Sequence, residues 1–272
     1  MATTDLIAFF GGAVAGGLGA LVGIGGGVLL VPLLHGFMGL PFREATAISL
    51  VGVLGTSSSA VMSPPGRRLL NPRLAVLLLL FSVTGAMVGA DSFTRFSDRT
   101  YELIFGATAA VIAAMMLIRL NQRNIQPPHI DPGVLGGRFM DDDTGQEVAY
   151  RVKRVPLALV VSFLAGVLAS YIGIGGGILI VPVLNAACGV PLRAAAATSV
   201  LMIGVTAIPG VAAHWASGFL NDFRLPAIAT LGVLIGFQGG LALSPRAPVG
   251  LLKLVMAVIL TAVGIQYLFF QS

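Results

Sequence analysis

Residues 23–34 read GIGGGVLLVPLL, and residues 173–184 read GIGGGILIVPVL, which is nearly the same run 150 positions later. At this fixed offset, 18 of the 41 residues from 16 to 56 are identical, and no gap is needed. Identity at that level does not arise by chance, so the chain contains an internal duplication. Each copy places a cluster of glycines inside a long apolar stretch, which is typical of transporters with interrupted helices.

The composition is that of an integral membrane protein. Apolar residues make up 56% of the chain and charged residues only 10%, whereas soluble domains carry about 25% charged residues. The mean hydropathy is +0.95, and apolar runs of about 20 residues, enough to cross a bilayer, occur repeatedly. Residues 1–22 lack a basic start, so we expect them in the first helix rather than in a cleaved signal.

The chain divides into a first transmembrane repeat (1–119), a hydrophilic connector (120–154) and a second transmembrane repeat (155–272). The connector carries several prolines, the acidic run Asp141–Asp143 and basic ends, which favour a cytoplasmic position. It is a tether or a regulatory segment. Each repeat is predicted to hold one interrupted stretch and three further helices, at about 6–38, 43–63, 73–91 and 101–119, and at 155–188, 193–213, 224–243 and 249–270.

Each interrupted stretch is too long for one crossing. At 1.5 Å per residue it would give roughly 50 Å of helix, against a hydrocarbon core of about 30 Å. Consecutive glycines weaken a helix and tolerate positive φ, so we predict two helices that meet at a glycine corner near the membrane centre. If each stretch returns to its own side, the two repeats are inverted. That arrangement leaves more basic residues on the connector side and both termini outside.

The corners are the first candidates for a binding site. Backbone N–H groups exposed at the start of a half-helix, together with the helix dipole, attract anions. Close packing of small residues is the alternative, and we favour it for Gly12, Gly16 and Gly19. The residues that we predict to bind substrate at the corners are Gly25, Gly26, Gly27, Gly175, Gly176 and Gly177.

Hydroxyl groups in the next helix of each repeat could donate to the same anion. Two pairs lie seven residues apart and therefore on one helix face, Ser49 with Thr56 and Ser199 with Thr206, and Thr198 adds a further hydroxyl. Backbone or interhelical hydrogen bonds are the alternative. Two arginines recur at matching positions, where they either assist the anion or anchor the membrane interface. They are Arg43 and Arg193.

Several classes of function lack the residues they need. The interiors of the apolar segments hold no Asp or Glu for a proton relay, since Glu44, Asp91 and Glu102 lie at segment ends, and no metal cluster or Ser-His-acid set is evident. The net charge of +5 is spread over loops, without the basic stripe of a nucleic-acid-binding protein. We therefore expect no cofactor, no metal, no nucleic acid and no enzymatic activity. The glycine spacing does not fit a dinucleotide fingerprint either.

The doubled motif G-x-G-G-G-x-x-x-V-P-x-L, followed by G-x-P-x-R-x-A-x-A-x-S, resembles the sulfite exporter TauE/SafE family. The resemblance covers all but the connector. It implies a multi-pass transporter of the bacterial cytoplasmic membrane for small sulfur-containing anions such as sulfite or organosulfonates. Ala47-Ile48-Ser49 departs from the more family-like Ala197-Thr198-Ser199. The matching positions also include Pro32 and Pro182.

The residues and the resemblance together predict a secondary transporter, an exporter, that works by alternating access between the two repeats. Its expected partners are a small anionic substrate and the lipid bilayer, and the sequence leaves a homodimer open. A passive anion channel of the same architecture is the alternative. A membrane-embedded enzyme or scaffold is disfavoured because the catalytic groups are missing.

Overall fold

The structure is a computed structural model that describes residues 2–22, 26–63, 69–92, 95–118, 131–140, 147–243 and 249–270. Gly25, one of the predicted site residues, lies outside this part of the chain. The described helices are α1 (Ala2–Val22), α2 (Gly27–Pro32), α3 (Phe42–Met62), α4 (Pro72–Ser92), α5 (Asp98–Ile118), α6 (Val155–Ile172), α7 (Gly177–Ala186), α8 (Leu192–Ala216), α9 (Arg224–Leu243) and α10 (Val249–Ile265). Helix α2 continues as a π-helical segment, Leu33–Phe37, and α10 continues as another, Gln266–Phe270.

Six of these helices are long and apolar enough to cross a membrane, namely α1, α3, α4, α6, α8 and α9. Their outward faces are apolar as well. On α1, for example, the side chains of Leu6, Phe10 and Val14 are exposed at intervals of one helical turn. Exposed apolar stripes suit a lipid environment, so the structure supports the predicted helical, multi-pass membrane protein.

Both interrupted stretches are broken where the glycines occur. Helix α1 ends at Val22 and α2 begins at Gly27, while α6 ends at Ile172 and α7 begins at Gly177. We call these two breaks the first and second corners. In the second corner, Gly173 and Gly175 adopt positive φ angles of 69° and 66°, which glycine reaches without the steric cost of a side chain.

After each corner the chain turns back along the helix it has just left. Gly26 lies against Gly16, and the side chain of Leu33 lies against Gly11, so α2 runs antiparallel to α1. In the second repeat Gly176 likewise lies against Ala165 of α6. The predicted fold-back at each corner is therefore present in the structure.

Glycine seams join helices of different repeats. Helices α1 and α9 run parallel, since Asp5 pairs with Arg224 at their starts and Gly17 lies against Gly236 further along. A methyl group on Gly12 would lie 2.5 Å from the carbonyl oxygen of Ala229. A methyl group on Gly16 would collide with the backbone of α9 in the same way. Close packing, the interpretation we favoured for these two glycines, is what the structure shows.

The second seam repeats this arrangement between α4 and α6. Gly166 lies against the backbone of Ser82, and Tyr171 forms a hydrogen bond of 2.6 Å with Ser92. Ser82 and Ser92 follow each other along α4 in the same direction as Gly166 and Tyr171 along α6, so these two helices also run parallel. The seams bring one helix of each repeat into each pair.

Helices α3 and α8 cross at the centre of the molecule, where Leu50, Val53, Ile203 and Ala207 form a small buried cluster. The connector contributes an antiparallel hairpin, β1 (Gly137–Met140) and β2 (Glu147–Tyr150), with Gly137 opposite Tyr150. Composition alone did not predict these strands. The hairpin packs onto the helices, because Tyr150 is buried and the N–H of Lys153 donates to the carbonyl of Cys188.

Candidate anion site at the glycine corners

The two corners meet at Ser49 of α3. Its hydroxyl oxygen lies 3.0 Å from the carbonyl oxygen of Gly27 in the first corner and 2.8 Å from that of Gly173 in the second. Since a hydroxyl has one proton, the two carbonyls share it. A single buried side chain from the first repeat thereby ties together corners that are far apart in sequence.

The helices that leave the corners start without a side-chain cap. Gly26 and Gly176 occupy the N-cap positions of α2 and α7, and neither start receives a capping hydrogen bond from the N-cap side chain. Ser, Thr, Asp and Asn usually provide that bond, and glycine cannot. The first N–H groups of both half-helices are therefore left for backbone, protein or ligand acceptors, as anion binding requires.

Two aliphatic side chains fill the space beside the corners. Val53 lies against Gly27 and Gly175, and Ile203 lies against Gly175 and Gly177. These two residues occupy equivalent positions in the repeats, one helical turn after Ser49 and Ser199. The sequence did not predict their role because an aliphatic residue in an apolar helix looks like its neighbours. Their shared spacing from the serines was the available signal.

The second corner has little free space among its described residues. A cavity of about 10 Å³ lies at the second corner, lined by residues that include Thr108, Ile112, Gly175 and Gly176. That volume suffices for at most one water molecule. Together, Val53, Ile203 and this narrow cavity leave no room for a sulfite-sized anion among the described residues at the second corner.

The predicted hydroxyls separate into two groups. Ser49 and Ser199 lie at the corners, the latter against Gly177, and the Ser199 hydroxyl is buried with no hydrogen-bond partner among the described residues. The other three are occupied in helix packing. Thr56 bonds the carbonyl of Val53, Thr198 accepts from the backbone N–H of Asn71, and Thr206 bonds Ser82.

The two predicted arginines lie at helix starts, away from the corners. The Arg43 guanidinium is 2.6 Å from Asp98, donates to the carbonyl of Phe96, and lies over the rings of Tyr101 and Phe219. Arg193 is exposed near the start of α8. Their positions agree with interfacial anchoring. The contacts described above do not join either arginine to a corner glycine.

Comparison with known proteins identifies a family that covers nearly the whole chain. The family model described as Sulfite exporter TauE/SafE matches residues 8–267. "Probable membrane transporter protein YunE" of Bacillus subtilis (strain 168) is 25% identical over 265 residues, which is 95% of each chain. A "Probable membrane transporter protein" of Xylella fastidiosa (strain 9a5c) is 27% identical over 265 residues, 96% of this chain and 93% of its own.

A more distant relative shares a smaller part of the chain. "Probable membrane transporter protein MJ0441" of Methanocaldococcus jannaschii is 25% identical over 209 residues, 75% of this chain and 69% of its own. No solved structure gives a significant match. Because the family model spans nearly the whole sequence, the chain belongs to the sulfite exporter TauE/SafE family of membrane transporters.

Proposed function

We propose that the protein is a secondary transporter that exports small sulfur-containing anions, sulfite or short organosulfonates, by alternating access. The observation that carries the proposal is the meeting of two uncapped, glycine-broken helices at Ser49. Backbone N–H groups and hydroxyls can hold an anion without a buried cation. The substrate class comes from the family, and the corners are where such an anion would bind.

The directions of the helices support inverted repeats. We call the side that holds Asp5, Arg43, Asp98 and Arg224 the N-terminal face, because contacts among α1, α3, α5 and α9 join their starts there. The opposite side, the connector face, holds the starts of α4 and α8, where Asn71 meets Thr198. Lys153, just before α6, lies on the connector face as well. The first helix of each repeat thus starts from the opposite side.

This topology distributes charge as a cytoplasmic connector requires. The helix order leaves four basic residues on the N-terminal face, and all four form ion pairs with carboxylates there. The other basic residues of the described connector and of the starts of α4 and α8 belong to the connector face, namely Arg73, Arg138, Arg151, Lys153, Arg154 and Arg193. By the positive-inside rule, the connector face is cytoplasmic and both termini are outside. The four basic residues are Arg43, Arg95, Arg99 and Arg224.

The moving units in our proposal are the two parallel pairs, α1 with α9 and α4 with α6. Each pair is held by several glycine contacts that leave no space between backbones, whereas α3 and α8 meet through a small aliphatic cluster, the contact of Gly204 with Ser57 and the hydrogen bond from Ser57 to the carbonyl of Val200. Packed seams resist deformation and therefore move as rigid bodies. Rocking of one pair against the other would withdraw Val53 and Ile203 from the corners and admit the anion to Ser199.

The test is transport by the purified protein in liposomes. We expect saturable uptake of sulfite or a short alkanesulfonate that is stimulated by the same anion on the other side of the membrane. Ser199→Ala should lower the apparent affinity roughly tenfold, because a hydrogen bond to a charged group contributes about 1.5 kcal/mol or more. The matched control is Ser58→Ala in α3, since the exposed Ser58 bonds only its own helix through the Leu54 carbonyl.

Two results would reject the proposal. One is the absence of saturable flux for every sulfur oxyanion tried, and the other is unchanged flux in both Ser199→Ala and a variant that fills the site, Ile203→Trp. The passive anion channel has one specific observation in its favour, since the aliphatic side chains of Val53 and Ile203 lie against the corner glycines and short apolar constrictions can gate channels. Conductance without saturation or stimulation by counter-anion would identify that alternative.

A further inference from the structure

A second cavity lies on the connector face, away from the corners. It measures about 200 Å³ and separates the hairpin from the start of α4. This volume is many times the roughly 10–15 Å³ that one water molecule needs on the same measure. A small oxyanion therefore fits here, whereas the 10 Å³ cavity at the second corner cannot hold one.

The walls of this cavity carry donors of hydrogen bonds. Arg73 from α4 and Arg138 from β1 both line it, together with Asn71 and Tyr150. The two arginines are exposed. No carboxylate occurs among the described residues of its lining. Two arginines on the wall of one cavity, with no carboxylate among its described lining, favour an anion with several acceptor oxygens.

Tyr150 is the buried polar group of this cavity, with 2% of its surface exposed. Its hydroxyl oxygen accepts a hydrogen bond of 3.0 Å from the Asn71 side-chain amide. The same amide also donates to the Leu135 carbonyl, and the Asn71 side-chain oxygen accepts from the N–H of Leu74. Both N–H groups of the Asn71 amide are thus used and Tyr150 is the acceptor in their contact, so this hydrogen bond does not use the phenolic proton.

Tyr150 keeps that proton at neutral pH. Burial raises the pKa of its hydroxyl above the ordinary value, and the hydrogen bond from Asn71 offsets only part of the rise. A neutral phenol in an anion pocket acts as a donor and adds no repulsion. The cavity therefore combines one buried neutral donor with two exposed cationic ones.

We propose that this cavity is a second anion site, in which Tyr150, Arg73 and Arg138 bind a small tetrahedral or pyramidal oxyanion. Its chemistry fits either an internal sulfur oxyanion or inorganic phosphate. The site does not depend on the transport proposal, because it shares no residue with the corners.

A local fluorescent reporter can test the site in the full-length protein. Phe139 also lines the cavity, and Trp215, the one native tryptophan, lies at the end of α8 and is exposed. In a Trp215→Phe background, Phe139→Trp should report saturable binding of sulfite, a short alkanesulfonate or inorganic phosphate. The anion that binds most tightly then identifies the source of the ligand.

Variants separate this site from the corners and from general charge effects. The double change Arg73→Gln and Arg138→Gln should weaken binding by tenfold or more, and Tyr150→Phe by about fivefold. Arg95→Gln, on the N-terminal face, is the matched control and should change nothing. Ser199→Ala should also leave this binding intact, so failure of the transport proposal would not affect the result.

Three outcomes would overturn the inference. The first is no saturable signal with any of the three anions. The second is a signal that persists in the double arginine variant with an unchanged melting temperature. The third is a signal abolished by Ser199→Ala, because the reporter would then be sensing the corners.

Discussion

The first and second corners share a sequence but differ in their polar partners. Ser49 lies within hydrogen-bonding distance of a carbonyl in each corner, whereas its counterpart Ser199 is buried without a hydrogen-bond partner among the described residues. Ser49 thus fastens both corners, and the hydroxyl of Ser199 is a spare donor at the second corner. We infer that duplication preserved the backbone break while the two copies took different tasks, with Ser49 holding the corners and Ser199 facing the substrate.

The glycines differ between the corners as well. A methyl group on Gly176 would lie 2.5 Å from the carbonyl oxygen of Ala165, while one on Gly26 would lie 3.2 Å from its nearest neighbours, the Cα of Gly16 and a methyl of Val233. We expect Gly176→Ala to lower the free energy of unfolding by about 2–3 kcal/mol through overpacking, and Gly26→Ala by less than about 1 kcal/mol. Denaturant titration in mixed micelles measures both.

Gly239→Ala is the control for this pair, because nothing lies within 4 Å of a methyl group there. Alanine is the better helix former, so this change should stabilise α9 by up to about 1 kcal/mol. Equal losses at Gly176 and Gly26 would show that the corners are packed alike, which would contradict the difference described here.

Replacing Ser49 should mainly affect stability, and replacing Ser199 should mainly affect transport. Ser49→Ala leaves the carbonyls of Gly27 and Gly173 without their shared donor, and we expect a loss of about 1–2 kcal/mol in the free energy of unfolding. Ser199→Ala removes no described hydrogen bond, so its stability should change by less than about 0.5 kcal/mol. Transport should show the opposite order, with Ser199→Ala giving the higher half-saturation concentration.

Ser49→Thr checks the assignment, because threonine keeps the hydroxyl and adds one methyl group. It should recover part of the lost stability if the shared hydrogen bond is the cause. If Ser199→Ala destabilises the protein as much as Ser49→Ala while transport is unchanged, the two serines have the same structural task and the proposed division is wrong.

The sequence predicted the breaks because glycine tolerates positive φ and weakens a helix wherever it occurs. The run at 173–177 gave a break between Ile172 and Gly177, where two glycines have positive φ. Apolar length predicted the spanning helices for a similar reason, since the bilayer fixes a minimum length. The helix breaks and the membrane-spanning helices could therefore be predicted from local sequence alone.

Partners that come from the other repeat could not be predicted in this way. Ser49 and Ser199 occupy equivalent positions in the two repeats, and only the fold shows that the carbonyl of Gly173 approaches the first of them. Val53 and Ile203 do not stand out within apolar helices, so their position beside the corners was invisible. The hairpin was missed because its strands are only four residues long and flanked by polar sequence.

The two arginines at matching positions, Arg43 and Arg193, should differ less in their contributions to stability. Arg43 is mostly buried and contacts Asp98 and the carbonyl of Phe96, but Asp98 is more than half exposed, so solvent screens the pair. We expect Arg43→Gln to cost about 1 kcal/mol and Arg193→Gln less than about 0.5 kcal/mol in the free energy of unfolding. Raising the salt concentration should reduce the first loss. A loss at Arg193 that equals the one at Arg43 would contradict this expectation.

The turns after the two half-helices give the smallest predicted difference. His35 Nδ1 lies 2.6 Å from the carbonyl oxygen of Leu40, and at the equivalent position the Asn185 amide donates to the carbonyl of Val190 over 3.0 Å. Two different side chains thus close the same turn. Because a carbonyl accepts, Nδ1 of His35 must carry the proton in this contact.

Replacing His35 with asparagine, the residue at the equivalent position of the second repeat, tests whether both turns depend on this hydrogen bond. His35→Asn keeps a donor for the Leu40 carbonyl and loses the contact of 3.5 Å with Glu102, so its melting temperature should fall only slightly, by an amount that corresponds to less than about 0.5 kcal/mol. His35→Leu removes the donor and should cost about 1 kcal/mol. Equal losses in both variants would mean that the imidazole acts through its ring contacts with Phe42 and Tyr267, and the two turns would then be closed for different physical reasons.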